Sequence, residues 1–205
     1  MSTTVATRFV HSVWGRLRYI QYFTVAVSAH VAGSGAQTYF SWISLICRFV
    51  TLSLPNDATI LFLWENKPEN KKVTNVDRPI DLFFIRKLID SQRDIYLDNQ
   101  IRFIICLKKD NVPIGTVDLF DVDFNNFHSK IGILIAEEKF RNKGHAFEAI
   151  KLIISYCREK LNIITLNCCI QEDNLKSIKL FEKNGFKRIN NFNKILTYKL
   201  CLKRD

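Results

Sequence analysis

Ahead of Asn56 the chain contains no Asp, Glu, Asn or Lys, and its only ionised side chains there are Arg8, Arg16, Arg18 and Arg48. All 20 acids of the 205-residue chain come later, in a stretch rich in Asn, Lys, Ile and Phe. The beginning therefore reads as a piece of different composition. Charge is missing from Tyr19 to Cys47, but Gln21, Thr24, Ser28, His30 and Gly33-Ser34-Gly35 interrupt the run. That is a poor transmembrane helix, and no membrane partner is expected. Arginines ahead of Tyr19–Val31, then small residues at Ala29–Ala32, outline a signal peptide with an overlong charged region. The lack of acids equally suits a transit peptide. The plainest reading of residues 1–48 is an N-terminal extension to a domain over 49–205.

Other absences narrow the chemistry. The six Cys include no C-x-x-C pair, and the adjacent Cys168 and Cys169 would point to opposite faces of a strand. A zinc ribbon or a disulfide framework is excluded, no metal is expected, and thiols in a reducing, cytoplasmic setting fit better. No G-x-x-x-x-G-K-S/T and no G-x-G-x-x-G occurs, so neither the ATPase loop nor the dinucleotide fingerprint is present. The net charge is +10, which suits nucleic acid, an acidic surface or a phosphate-bearing cofactor. No basic stripe interleaved with aromatics is visible, so no nucleic-acid partner is expected.

What is present is a run of strands and helices without regular alternation, which gives an α/β or α+β class with a mixed sheet. Strands are predicted at Phe49–Leu54, Ile101–Leu107, Ile114–Phe120, Lys130–Ala136, Ile163–Ile170, Phe186–Ile189 and Ile195–Leu202. Helices are predicted at Ala58–Asn66, Asp81–Tyr96, Gly144–Leu161 and Leu175–Asn184, the last closed by Gly185. Asn66–Arg78 reads as polar loop.

The chemistry concentrates after Lys130. A strand leads through a short loop into R-N-K-G-H-A, Arg141 to Ala146, and directly into a helix. A glycine-bearing helix start aims several N–H groups one way, and the helix dipole adds positive potential, so such a turn suits phosphate. Arg141 and Lys143 add charge there. Downstream lies N-L-K-S-I-K-L-F-E-K-N-G-F, Asn174 to Phe186.

In the order and spacing of these motifs the chain resembles the GNAT superfamily of N-acetyltransferases. Leu63–Glu69 and Ile133–Glu138 make it similar to the branch of spermidine and ribosomal-protein N-terminal acetyltransferases. The resemblance implies a mixed, mostly antiparallel central sheet with a splayed pair of strands, flanked by helices. It implies direct acetyl transfer from acetyl-CoA to a primary amine, either a small amine or polyamine or a peptide N-terminus, with self-association allowed. An acetyl-CoA-binding module without efficient turnover is the alternative. Backbone groups of Ile133, Leu134 and Ile135 would meet pantetheine. The turn Arg141, Asn142, Lys143, Gly144, His145 and Ala146, with Phe147 beside it, would hold the pyrophosphate. Asn174, Lys176, Ser177 and Phe181 would flank the cofactor arm. Phe181 stands where the family often has Tyr to protonate the departing thiolate, and Phe has no proton to give.

The acceptor amine must lose a proton, so a base or a water wire is required. Glu65 and Asp118 are the candidate catalytic acids: one follows Trp64 in the first helix, the other interrupts an apolar strand. Asp121 and Asp123 read as solvated turn residues that could join them in an acidic patch. His128 and His145 read as loop and turn residues.

Overall fold

A computed structural model describes residues 47–51, 56–74, 79–91 and 94–202. The expectations for residues 1–46 lie outside the described residues.

Seven strands form one sheet in the order β1-β2-β3-β4-β5-β7-β6. They are β1 (Cys47–Thr51), β2 (Ile101–Leu107), β3 (Pro113–Asp123), β4 (His128–Ile135), β5 (Thr165–Gln171), β6 (Lys187–Phe192) and β7 (Ile195–Cys201). Every neighbouring pair is antiparallel except β4 with β5. The helices are α1 (Asn56–Asn66), α2 (Pro68–Thr74), α3 (Leu82–Ser91), α4 (Ile95–Asp98), α5 (His145–Lys160) and α6 (Leu175–Lys183).

Alternation along the strands sorts the side chains into two cores. On one face Phe103 and Ile105 of β2, Val117 and Leu119 of β3, Ile131 of β4 and Leu166 and Cys168 of β5 pack under Ala149, Ile150, Ile153 and Cys157 of α5 and Phe181 of α6. On the other face Ile104, Cys106, Leu134 and Ala136 pack under Ala58, Leu61 and Trp64 of α1 and Ile85 and Ile89 of α3. Each of the Val, Leu, Ile and Phe side chains among them contributes roughly 1.5–3 kcal/mol on leaving water. Cys168 is buried and Cys169 exposed, on opposite faces of β5 as their adjacency requires.

Three elements differ from expectation. Asn66–Arg78 is not all loop, because α2 begins at Pro68, where a fixed φ and a missing N–H suit the first helical turn. The single helix expected over Asp81–Tyr96 is two, α3 and α4. Asp94 starts the second, its side chain accepting from the Tyr96 N–H. The first strand begins at Cys47 rather than Phe49, with Cys47 opposite Leu107.

Candidate active site

The parallel β4–β5 pair is the centre of the site. Only three rungs join them: His128 with Thr165, Ser129 with Leu166, and Lys130 with Asn167. From Ile131 onward β4 runs without a β5 partner, and the two strands fork. Of the three residues expected to meet pantetheine, Ile133 and Ile135 turn their backbone groups to this unpaired edge, and Leu134 turns its carbonyl to β3. Such an edge can accept an extended ligand amide as it would another strand.

Gly115 shapes the fork's end. It sits opposite Ile135, and a Cβ on it would come to 2.0 Å from the Leu134 carbonyl oxygen. The close approach lets Ile114 O accept from both Ala136 N (2.9 Å) and Glu137 N (3.4 Å). The end of β4 is thereby held to β3 beyond its last strand residue. This glycine had no part in the sequence reading. Its signal, a glycine inside an apolar strand, marks close backbone approach or a bulge.

At the mouth of the fork a 3-10 turn (Glu138–Phe140) leads to the glycine turn and α5. Asn142 (φ +58°) and Gly144 (φ +86°) both take the left-handed conformation. The first intrahelical bond runs from Glu148 N to Gly144 O, 3.1 Å. The N–H groups of Ala146 and Phe147 precede it and have no carbonyl one turn back. Open space surrounds the Gly144 Cα. Backbone N–H groups placed in this way can cradle an anion, and Asn142 and Lys143 are exposed in the turn.

Two side chains of the turn depart from expectation. Arg141 commits its guanidinium to protein groups. Its Nε donates to Ile135 O (2.9 Å), and its NH2 donates to Asn70 Oδ1 (2.5 Å) and Ala136 O (3.4 Å). The guanidinium thus satisfies the Ile135 carbonyl, which the fork leaves without a strand partner, and ties the end of β4 to Asn70. Asn70, fully buried, passes the tie to Trp64 O at 2.8 Å. His145 is buried rather than a free turn residue, with its ring against Phe140 at 6.1 Å between centroids. Burial, then the Lys143 charge, lowers its pKa and keeps it neutral.

On the β5 side, Asn174 caps α6, its Oδ1 accepting from Ser177 N at 3.1 Å. Ser177 therefore offers its N–H to the cap, and Lys176 stands exposed. Phe181 is 4% exposed and meets Phe186 edge-to-face, 5.0 Å between centroids. The N–H groups of Gly185 and Phe186 close back on Glu182 O and Phe181 O. That is a Schellman turn with its customary apolar contact, so Phe181 has a packing role in the helix end.

The two candidate acids do meet, around a residue the sequence reading passed over. Arg102 donates from Nε to Asp118 Oδ1 (2.7 Å), from one terminal nitrogen to Asp118 Oδ2 (3.1 Å), and from the other to Glu65 Oε1 (3.1 Å). All three are at most 4% exposed. Glu65 Oε2 has no hydrogen-bond partner among the described residues. Burial pushes the Asp118 pKa up to about 6, against the opposing pull of Arg102's charge and hydrogen bonds, with a further upward push from Glu65. Asp118 lies opposite Gly132 of β4. A Cβ at Gly132 would lie 3.7 Å from Asp118 Oδ2, so this carboxylate rests against the forked part of β4. Next to Glu65, Trp64 donates its indole N–H to Glu137 Oε1 at 2.8 Å, as does Lys67. These bonds, Lys67's first, hold the Glu137 pKa below its usual value.

Asp121 and Asp123 do not join the other acids. Asp121 pairs with Lys130 (2.8 Å), and Asp123 braces the β3–β4 turn through Asn125 and Asn126. No patch of four carboxylates forms.

The model of the acetyltransferase (GNAT) domain matches residues 48–187. The chain belongs to the GNAT family. Its members are N-acetyltransferases that use acetyl-CoA. An N-acetyltransferase, p20 of Bacillus licheniformis, is 29% identical over 133 residues, covering 64% of this chain and 74% of that one. An N-acetyltransferase 9-like protein of Caenorhabditis briggsae is 35% identical over 102 residues, and the match spans about half of that relative (52%) and 45% of this chain. The spermidine N-acetyltransferase of Vibrio cholerae, solved in complex with CoA and spermine, shares the GNAT fold at a TM-score of 0.68 and 16% identity, over 77% of this chain and 96% of that one. Among the described residues no helix is long and apolar enough to cross a membrane.

Proposed function

We propose that this GNAT enzyme acetylates a primary amine, of a small amine or polyamine or of a peptide N-terminus, with acetyl-CoA bound in the β4–β5 fork. The observation that carries the reading is the fork itself, three rungs long and then open, with the glycine turn of α5 at its mouth. Pantetheine lies along the free edge of β4, and the pyrophosphate meets the N–H groups around Lys143 to Phe147. The amine nitrogen attacks the acetyl carbonyl carbon. Backbone N–H groups near Ile133–Ile135 stabilise the oxyanion, the C–S bond breaks, and CoA leaves as thiolate. An ordinary thiol pKa of roughly 8.5 makes that leaving group tolerable without a tyrosine acid, which accommodates Phe181.

The amine's proton passes toward Asp118. This carboxylate is held near pKa 6, so it is ionised at neutral pH and able to accept, as a general base should be. Glu65 and Arg102 position it from behind. A screen of acetyl-CoA consumption over spermidine, spermine, amino acids and N-terminal peptides tests the reading. Turnover with one amine class names the acceptor. Binding of acetyl-CoA with no amine-dependent release of CoA would favour a cofactor-binding module, the alternative that Phe181 motivates.

A further inference from the structure

Beside the glycine turn, two lysines from different helices converge on one aromatic ring. Lys151 of α5 places its Nζ 4.5 Å from the Phe147 ring centroid, and Lys183 of α6 places its Nζ 4.7 Å from the same centroid. The ring accounts for part of this, because an ammonium is attracted to an aromatic face. It does not account for two like charges at one ring. Neither lysine has an ion pair among the described residues. The carboxylates adjacent in sequence do not neutralise them. Glu182 accepts instead from the Tyr198 hydroxyl at 2.9 Å, and Glu148 makes no ion pair among the described residues. Two ammoniums beside one ring, neither ion-paired among the described residues, make this spot electropositive and favour an anion near it, and the ring belongs to the first turn of the helix that the glycine turn starts.

We propose that Lys151 and Lys183, spaced by Phe147, bind the ribose 3′-phosphate of acetyl-CoA and so select CoA over its dephosphorylated form. The assignment rests on the proposed acetyl-CoA site. The cofactor carries two separate anionic groups: the pyrophosphate, and a monoester phosphate on the neighbouring ribose. The turn's backbone N–H groups suit the pyrophosphate, which needs donors from several directions. The monoester carries close to two charges near pH 7 and calls for cations. Because Phe147 is in the first turn of α5 and Lys151 one turn further along, the two sites are neighbours on one helix. Arg141 is committed to the β4 carbonyls, which leaves lysines, as point charges, to supply this contact.

Calorimetry with acetyl-CoA and 3′-dephospho-acetyl-CoA tests the proposal on the unaltered chain. Binding of acetyl-CoA at all carries the proposed function, while the ratio of the two affinities carries this inference. The expected result is acetyl-CoA binding about tenfold or more tighter, with the difference shrinking as salt rises. Lys151→Met with Lys183→Met, which keeps the stems over the ring, weakens acetyl-CoA by about the same factor. It leaves the dephospho form unchanged, so the ratio falls toward one. Equal affinity of the unaltered chain for both ligands, or equal weakening of both in the double variant, overturns the 3′-phosphate assignment. In either case acetyl-CoA binding itself still stands as support for the fork.

Discussion

The two faces of the sheet solve different problems in different materials. The side proposed to hold the acetyl donor, the β4–β5 fork with α5 and α6, is made of backbone: an unpaired strand edge, a left-handed glycine and a helix start. The side bearing α1 to α3 is made of buried side chains. Glu65, Arg102 and Asp118 come from three elements, 37 and 16 residues apart in sequence. Backbone sites leave short local signatures, because a turn and the helix after it must be contiguous. Side-chain sites leave scattered single residues whose meaning depends on register.

The largest expected contrast comes from removing the cation at the centre of the side-chain site. Arg102→Met leaves two buried carboxylates facing each other with nothing between them. Breaking a buried ion pair from one side costs about 3–5 kcal/mol, read as a shift in denaturant midpoint. Gly144→Ala, on the backbone side, puts a Cβ on a left-handed residue with open space around it, and costs about 1 kcal/mol. If Arg102→Met is no worse than Gly144→Ala, the triad does not hold the α1 face together.

Acid titration sharpens the same contrast. The folded chain holds the Asp118 proton up to about pH 6, while the unfolded carboxyl releases it near 4. Unfolding therefore releases a proton between those values, and the contribution of this group to stability falls as pH rises through the window, by up to about 3 kcal/mol. Asp118→Asn removes that slope. It also leaves Arg102 with Glu65 as a neutral pair, so near pH 7.5 it is milder than Arg102→Met. In the proposed mechanism Asp118→Asn also removes the acid limb of the kcat profile near pH 6. Retention of the slope in Asp118→Asn would place its origin in another group.

These differences follow what could be read from residues alone. The strand, turn and helix over Lys130 to Leu161 were legible because hydrophobic period, glycine and motif coincide there. The forked sheet followed from the resemblance that those motifs carry. Arg102 was not legible, since one Arg in I-R-F-I-I-C looks like an interruption. A signal did exist: Asp118 is equally alone in β3, and an antiparallel register can set the two opposite each other, as it does. The helix α2 was missed because its residues are polar, and its buried Asn70 acts by hydrogen bonding rather than by apolar period. The split between α3 and α4 was missed because the apolar spacing continues across it and only Asp94 marks the restart. The motif and the charge of Arg141 both point to phosphate, while the bond it makes to the Ile135 carbonyl is invisible in the residues, because that carbonyl is free only once β4 has left β5.

On the backbone side, Gly144→Asp sets a carboxylate against the position proposed for the pyrophosphate. Two unit charges 4 Å apart at an effective dielectric of 20 repel by about 4 kcal/mol before screening, and the turn is exposed. The expected loss in acetyl-CoA affinity is therefore about tenfold, measured calorimetrically on a chain shown to be folded. Unchanged affinity removes the turn from the site.

The smallest effect separates two roles at one residue. Asn174 caps α6 through its Oδ1, and its amide nitrogen is the part that the resemblance sends toward the cofactor arm. Asn174→Ala deletes both and costs about 1 kcal/mol of stability, the usual value of a cap. Asn174→Asp keeps the capping oxygen and adds a negative charge at a helix N-terminus, so its stability matches or exceeds that of the parent. It lacks the amide donor, however, and brings that charge near the cofactor arm. The expected pattern is a lowered melting temperature with Ala alone and weaker acetyl-CoA binding with both. If Asp leaves both stability and affinity unchanged, Asn174 is a cap only, and the grip proposed for the β5 side of the fork falls to backbone, as proposed for the β4 side.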